Sequence, residues 1–153
     1  MTGSPGDADE LSPVAVVVTP LAAAEVLAGS LRLAGRRLPS GTVVAPTGAG
    51  AVVAAAIDPA AAHDLGEAVS RVLGDVPVVL LTRQEGRLSA TRWSGGRAGE
   101  PLTPGLVMTT MDDAVESLLL GRTTPAEAPG AIEVARIGRW RAARMVAAAR
   151  RSG

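Results

Sequence analysis

Hydrophobic positions along the chain alternate between short β-branched runs and longer stripes with helical spacing. The apolar run Val14–Val18, closed by Pro20, predicts a central strand that is covered on both faces of a sheet. Apolar residues then recur at spacings of three and four over residues 21–34, which predicts a helix ending at Gly35. We expect Thr19 to cap this helix, with Pro20 at its first position.

The next segments predict two hairpins separated by a second helix. Two Val-rich runs flank Pro46–Gly50, and glycines between β-branched runs are typical of a hairpin turn. Asp58 and Pro59 are suited to open a helix, which Gly74 would end. After it, two further strands are expected to form a second hairpin around Gln84–Gly86.

The last third of the chain is richer in Gly, Pro and charged residues. Residues 94–105 are predicted to be a loop, and the stretch after them predicts a short helix capped by Thr110. Residues 121–130 are predicted to be a linker. A final helix is expected over residues 131–151.

This order of elements predicts an α+β fold in which an antiparallel sheet carries helices on one face. A ferredoxin-like split βαβ layout extended by one strand fits, and so does a related two-layer sandwich, each with a C-terminal helical extension. Either leaves an edge strand available for pairing, and neither specifies the strand order. The expected divisions are a disordered N-terminus (1–12), an α/β domain (13–120), a linker (121–130) and a basic amphipathic helix (131–153).

Composition restricts both the core and the possible chemistry. The chain of 153 residues has two Trp but no Phe, Tyr or Cys, so its core must consist mainly of Val, Leu, Ile and Ala. Without Cys it has no disulfide and no thiolate metal site. The first residues carry acids rather than the basic start of a secretory signal, and no apolar run approaches the ~20 residues of a membrane helix. We therefore expect a cytoplasmic protein that does not enter a membrane.

Charge is distributed unevenly although the formal net charge is zero. Residues 1–120 contain 8 Arg and 13 acids, whereas residues 134–153 contain 6 Arg and no acid. The C-terminal helix is therefore basic and amphipathic, and it could contact an acidic partner. A single Trp in this helix offers no aromatic platform for stacking bases, so nucleic acid is the less favoured partner. The candidate interaction residues are Arg136, Arg139, Trp140, Arg141 and Arg144.

The stretch "APTGAGAVV", residues 45–53, begins like a helicase-type phosphate-binding loop of the form A-P-T-G-x-G-K-T. Ala51 stands where the lysine of that loop belongs, and Val52 stands where the Ser or Thr belongs. A hairpin turn is therefore the favoured interpretation. Backbone amides alone can bind an anion in such a turn, which leaves Thr47, Gly48 and Gly50 as a possible anion-binding loop.

Evidence for catalysis or metal binding is weak. His63 and Glu67 lie one helical turn apart, a spacing that suits a metal, but no third ligand is specified nearby and their helix face should be exposed. The adjacent acids Asp112 and Asp113 point in different directions on a helix and suit its N-terminal dipole. There is no Lys, no Cys and no G-x-S-x-G motif. We therefore expect no catalytic residues, no metal and no cofactor.

These observations favour a non-catalytic, cytoplasmic protein–protein interaction or regulatory module. We expect it to associate with itself, forming a homodimer or larger homo-oligomer, or with another protein, through the sheet edge or the basic helix. One alternative is a domain that responds to a small molecule or nucleotide through the Pro46–Gly50 loop. Another is nucleic-acid binding through the Arg-rich C-terminal helix. The partner, the oligomeric state and the packing of that helix on its own domain remain open at this point.

Overall fold

The computed structural model describes residues 12–152, which form an antiparallel sheet and helices of a mixed α+β fold. The predicted α+β class is thus confirmed, while the predicted disordered segment 1–12 lies outside the described residues except for Ser12. The strands are β1 (Val14–Val18), β2 (Val43–Thr47), β3 (Gly50–Ala55), β4 (Val78–Gln84), β5 (Arg87–Ser94), β6 (Arg97–Leu102) and β7 (Ile132–Glu133). The helices are α1 (Ala24–Ala34), α2 (Pro59–Leu73), α3 (Pro104–Met108), α4 (Asp113–Leu119) and α5 (Arg139–Ser152), with 3-10 turns at Pro125–Glu127 and Val134–Arg136.

The strand order of the sheet is β6-β5-β4-β1-β3-β2-β7, and every neighbouring pair is antiparallel. β1 lies at its centre. Val16, for example, is paired with Ala54 of β3 on one side and with Leu81 of β4 on the other. This position confirms the prediction that the run Val14–Val18 is a central strand.

Helices cover both faces of this sheet. Ala15 and Val17 belong to a core formed with α1 and α2, whereas Val14 and Val16 belong to a second core formed with α4. The expected placement of the helices on one face is therefore wrong. The physical reason is that β1 is apolar at every position, so both of its faces must be shielded from water.

Both predicted hairpins are present. β2 and β3 pair up to Thr47 and Gly50, which leaves a two-residue turn. β4 and β5 are joined by Glu85 and Gly86, whose φ angles are 53° and 75°. Positive φ at both central residues is the geometry whose twist matches that of the flanking strands.

A third hairpin replaces part of the loop predicted over residues 94–105. Arg97–Leu102 form β6, which pairs with β5 through contacts such as Trp93 with Ala98. The turn is Gly95-Gly96, with φ angles of 57° and 85°. The glycine pair is a hairpin signal, but Gly, Glu and Pro within β6 have low strand propensity and obscure it.

Two predicted helix caps are wrong, and in each case the hydroxyl binds elsewhere. The first helix begins at Ala24, while the buried Thr19 hydroxyl donates to the carbonyl oxygen of Ala51 at 2.8 Å. The helix after residue 110 is capped by Asp112, whereas the Thr110 hydroxyl donates to the Val107 carbonyl oxygen. A third prediction is confirmed, because the Asp58 side chain accepts from the N–H of Ala61 at the start of α2.

The C-terminal helix begins at Arg139 rather than at residue 131. Ile132 and Glu133 instead add β7 to the edge of β2, and a 3-10 turn follows. Gly138, immediately before the helix, is a poor helix former and favours the break at this point. Part of the predicted linker is also ordered, since Pro125 is buried at the start of a 3-10 turn.

α5 packs against α1 at a close contact between small residues. A Cβ atom at Gly29 would lie 3.0 Å from the carbonyl oxygen of Ala142 and 3.3 Å from the Cβ of Met145. Glycine in α1 and alanine in α5 therefore allow the two backbones to approach. This contact answers the open question about the C-terminal helix, which packs on its own domain.

Gly29→Val is expected to lower the free energy of unfolding by about 1–3 kcal/mol, because added methyl groups overpack the contact between α1 and α5. Urea denaturation would measure the loss. Gly105→Val is the matched control, since no atom lies within 4 Å of the position its Cβ would take. Equal losses in both variants would contradict a tight contact at Gly29.

Candidate functional site

The outer side of α5 presents a tryptophan to solvent. Trp140 is 85% exposed, while Ala142, two residues later, is completely buried. Residues two apart lie about 200° apart around a helix, so Ala142 faces α1 and Trp140 faces away from the domain. Arg139, Arg141 and Arg144 are also exposed. We call these four residues, Arg139, Trp140, Arg141 and Arg144, the α5 surface.

Contacts before and within the helix hold the α5 surface in place. The Nε of Arg32 in α1 donates to the carbonyl oxygen of Ile137 at 2.8 Å. Ile137 itself is buried in the core that α1 and α2 share. Because the chain is fixed on its inner side, the α5 surface projects from a packed helix.

The positive charge of the α5 surface is not neutralised within the described part of the chain. No ion pair is formed there by Arg139, Arg141 or Arg144, and no acid follows Glu133 in the sequence. Arg136, the fifth predicted interaction residue, lies before the helix and pairs with Glu133 at 3.2 Å. The structure therefore brings four of the five predicted residues together on one helix and separates Arg136 from them.

The loop between β2 and β3 is closed by bonds within the chain. The Thr47 hydroxyl donates to the Gly50 carbonyl oxygen at 2.6 Å and accepts from the Ala49 N–H at 3.2 Å. The Gly48 N–H donates to the Oδ2 of Asp112 at 2.9 Å. A carboxylate of the protein itself thus occupies the position next to Gly48 that an external anion would take.

Gly50 serves the close approach of two backbone segments. Its φ is 132°, and a Cβ atom there would overlap the carbonyl oxygen of Thr19. The next amide, of Ala51, donates to the Leu21 carbonyl oxygen at 2.7 Å. The positive φ and the close approach to Thr19 therefore explain why this position is glycine, without a bound phosphate.

His63 and Glu67 are held by other partners. The exposed His63 ring meets the Trp93 indole edge to face, with 4.7 Å between the ring centroids. Glu67 pairs with Arg71 at 3.1 Å. Among residues 12–152, no group of three or more His, Asp or Glu side chains is arranged to hold a metal ion.

Arg83 on β4 is a buried cation that sequence reasoning missed. Its side chain is the one buried charged group within the described residues, at 8% exposure. It donates to the carbonyl oxygens of Leu119 and Ser12. The signal was the alternation along β4, which places Arg83 on the same face as Val79 and Leu81 of the second core.

Comparison with other proteins adds no functional information. No family model matches this chain, and no curated protein or solved structure matches it significantly. None of the helices within residues 12–152 is long and apolar enough to cross a membrane.

Asp112→Ala is expected to lower the free energy of unfolding by about 1–2 kcal/mol, because it removes the cap of α4 and the acceptor for Gly48. The Oδ1 of Asp112 accepts from the Ala114 N–H at 2.8 Å, so both carboxylate oxygens are used. Thermal and urea denaturation would measure the effect. Asp113→Ala is the control, since this neighbouring carboxylate is exposed; an equal loss in the control would contradict the assigned role.

Proposed function

We propose that this protein is a non-catalytic interaction module whose α5 surface binds an acidic surface of a partner protein. The observation that carries the proposal is Trp140, which is 85% exposed on a helix whose opposite side is packed against α1. Single exposed apolar residues are ordinary on protein surfaces. Trp140 differs from these because it is large and adjoins three arginines without ion-pair partners in the described residues.

The chemistry of these side chains suits a protein partner. Trp and Arg are enriched among the residues that contribute most to binding at protein interfaces. The indole can fill an apolar pocket on the partner, and the planar guanidinium can bind a carboxylate through two parallel hydrogen bonds. A partner with carboxylates around a shallow apolar pocket is therefore the best match for the α5 surface.

Self-association through a sheet edge receives less support. The outer edge strand β6 contains Arg97, Glu100 and Pro101, and charges and proline in an edge strand oppose pairing with another chain. The opposite edge strand, β7, has only two residues. If a second copy is the partner, we expect it to contact the α5 surface rather than extend the sheet.

The two alternative functions also receive less support. Nucleic acid would meet one exposed Trp and an acidic body, since residues 1–120 contain 13 acids against 8 Arg. An external anion at the Pro46–Gly50 loop would have to displace Asp112 from Gly48.

We further propose that residues 14–84 form a ferredoxin-like core within the larger sheet. Support comes from the order β4-β1-β3-β2, in which each of α1 and α2 connects two parallel strands separated by one antiparallel strand. β5 and β6 extend this core at one edge and β7 extends it at the other. α5 then packs outside the helix layer, where its outer side is open to a partner.

Trp140→Ala and Arg144→Glu are each expected to weaken partner binding at least about 30-fold, because interface residues of this type contribute about 2 kcal/mol or more. Purified protein would capture partners from an extract of its source cells, and mass spectrometry would quantify them. Light scattering would measure self-association of the same variants. Arg97→Glu on β6 is the control for charge reversal.

A protein retained by the wild type and by Arg97→Glu, but lost from both α5 variants, would support the proposal. A dimer that dissociates only in the α5 variants would identify a second copy as the partner. Unchanged binding and unchanged mass in all variants would overturn the proposed role of the α5 surface. A partner that is removed by nuclease treatment would favour the nucleic-acid alternative.

A further inference from the structure

A cavity of about 210 Å³ lies where the end of β4 meets the end of α4. Val14, Leu118 and Pro125 contribute apolar walls, and Arg83 lines the same space. Thr123, a residue with a hydroxyl group, also lines the cavity. The cavity is therefore mostly apolar, with one buried cation.

Arg83, which lines this cavity, has unused hydrogen-bonding capacity. A guanidinium has five N–H donors, and the described contacts of Arg83 are one bond to the Leu119 carbonyl oxygen at 2.6 Å and one to that of Ser12. No carboxylate within residues 12–152 forms an ion pair with it. Burial lowers the pKa of the Arg83 guanidinium from its ordinary value, because desolvation disfavours the charged form.

A buried charge without a countercharge is unfavourable, and neutral carbonyls compensate it only in part. An anion that entered the cavity would supply a countercharge, which residues 12–152 do not provide, and would accept hydrogen bonds from the remaining N–H groups. We propose that this cavity binds a small organic monocarboxylate, with Arg83 binding its carboxylate group.

The surroundings of Arg83 favour a monocarboxylate over inorganic phosphate. One carboxylate neutralises one guanidinium and matches its planar, two-pronged geometry. The rest of the ligand would lie against Val14, Leu118 and Pro125, and it would remove apolar surface from water. A phosphate dianion would bring an excess negative charge into an apolar space that holds a single cation.

A purely structural role is the competing explanation for Arg83. Its bond to Leu119 holds the last turn of α4, and its bond to Ser12 holds the chain before β1. These two bonds explain why Arg83 stabilises the fold, but they do not use the cavity. Ligand binding therefore distinguishes the two roles.

Titration of the full chain with benzoate, followed by calorimetry and by NMR, tests the proposal. We expect saturable binding with one site, and at least tenfold weaker binding of inorganic phosphate at the same ionic strength. Arg83→Met should remove benzoate binding, whereas Arg87→Met, at an exposed position of β5, should leave it unchanged. The absence of saturable benzoate binding to the wild type would overturn the proposal.

A second variant keeps the test valid if Arg83→Met fails to fold. Ala56 is exposed and lines the cavity, so Ala56→Trp should fill part of the cavity, keep the fold and weaken benzoate binding at least tenfold. Unchanged affinity in Ala56→Trp would place the bound benzoate elsewhere and overturn the proposal.

A third variant examines whether the chain supplies its own carboxylate. Asp9 and Glu10 precede Ser12 in the sequence, and the double variant Asp9→Asn/Glu10→Gln removes both charges. The proposal predicts the same benzoate affinity as in the wild type. Binding that appears only in the double variant would show that an internal acid is the occupant and would overturn the small-molecule assignment.

Discussion

The burial of β1 on both faces is the constraint on which the rest of the structure depends. Val16 and Val17 point to opposite sides of the sheet, and each side chain is completely buried. Two separate helical layers are needed to keep both faces from water. α1 and α2 provide one layer, and the short α4 with its neighbouring segments provides the other. The sheet thus separates two hydrophobic cores and contributes one face to each.

Small side chains set how closely the layers approach each other. With no Phe or Tyr, the cores consist almost entirely of Val, Leu, Ile and Ala, and Trp93 is the one buried aromatic residue in the described chain. Gly66 of α2 makes room for it, because a Cβ there would lie 2.9 Å from the indole ring. Gly29 makes similar room for α5. At each position the absence of a side chain lets a neighbouring group pack closely, the indole ring at Gly66 and the backbone of α5 at Gly29. The close packing at Gly29 directs the opposite side of α5 outward.

Local chemistry explains which elements could be predicted. Asp58 and Pro59 determine the start of α2 through contacts within a few residues, and Glu85-Gly86 supply the φ angles of a tight turn. β6 could not be predicted in this way, because its Gly, Glu and Pro have no strand preference of their own and its order comes from pairing with β5. The predicted cap at Thr19 was wrong for a similar reason, because its hydroxyl donates to the carbonyl oxygen of Ala51, 32 residues away in the sequence.

The sequence by itself determined the α+β class, the central position of β1, two of the hairpins and the concentration of arginine at the C-terminus. These features depend on local periodicity, turn geometry and charge, which are determined by residues close together in the sequence. Tertiary structure alone decided that both faces of the sheet are covered, that Trp140 faces solvent and that Asp112 reaches Gly48. It also decided that Arg83 lines a cavity and forms no ion pair with a carboxylate of residues 12–152. Each of these depends on contacts between distant segments, whose geometry exists only after the sheet and its helices have packed.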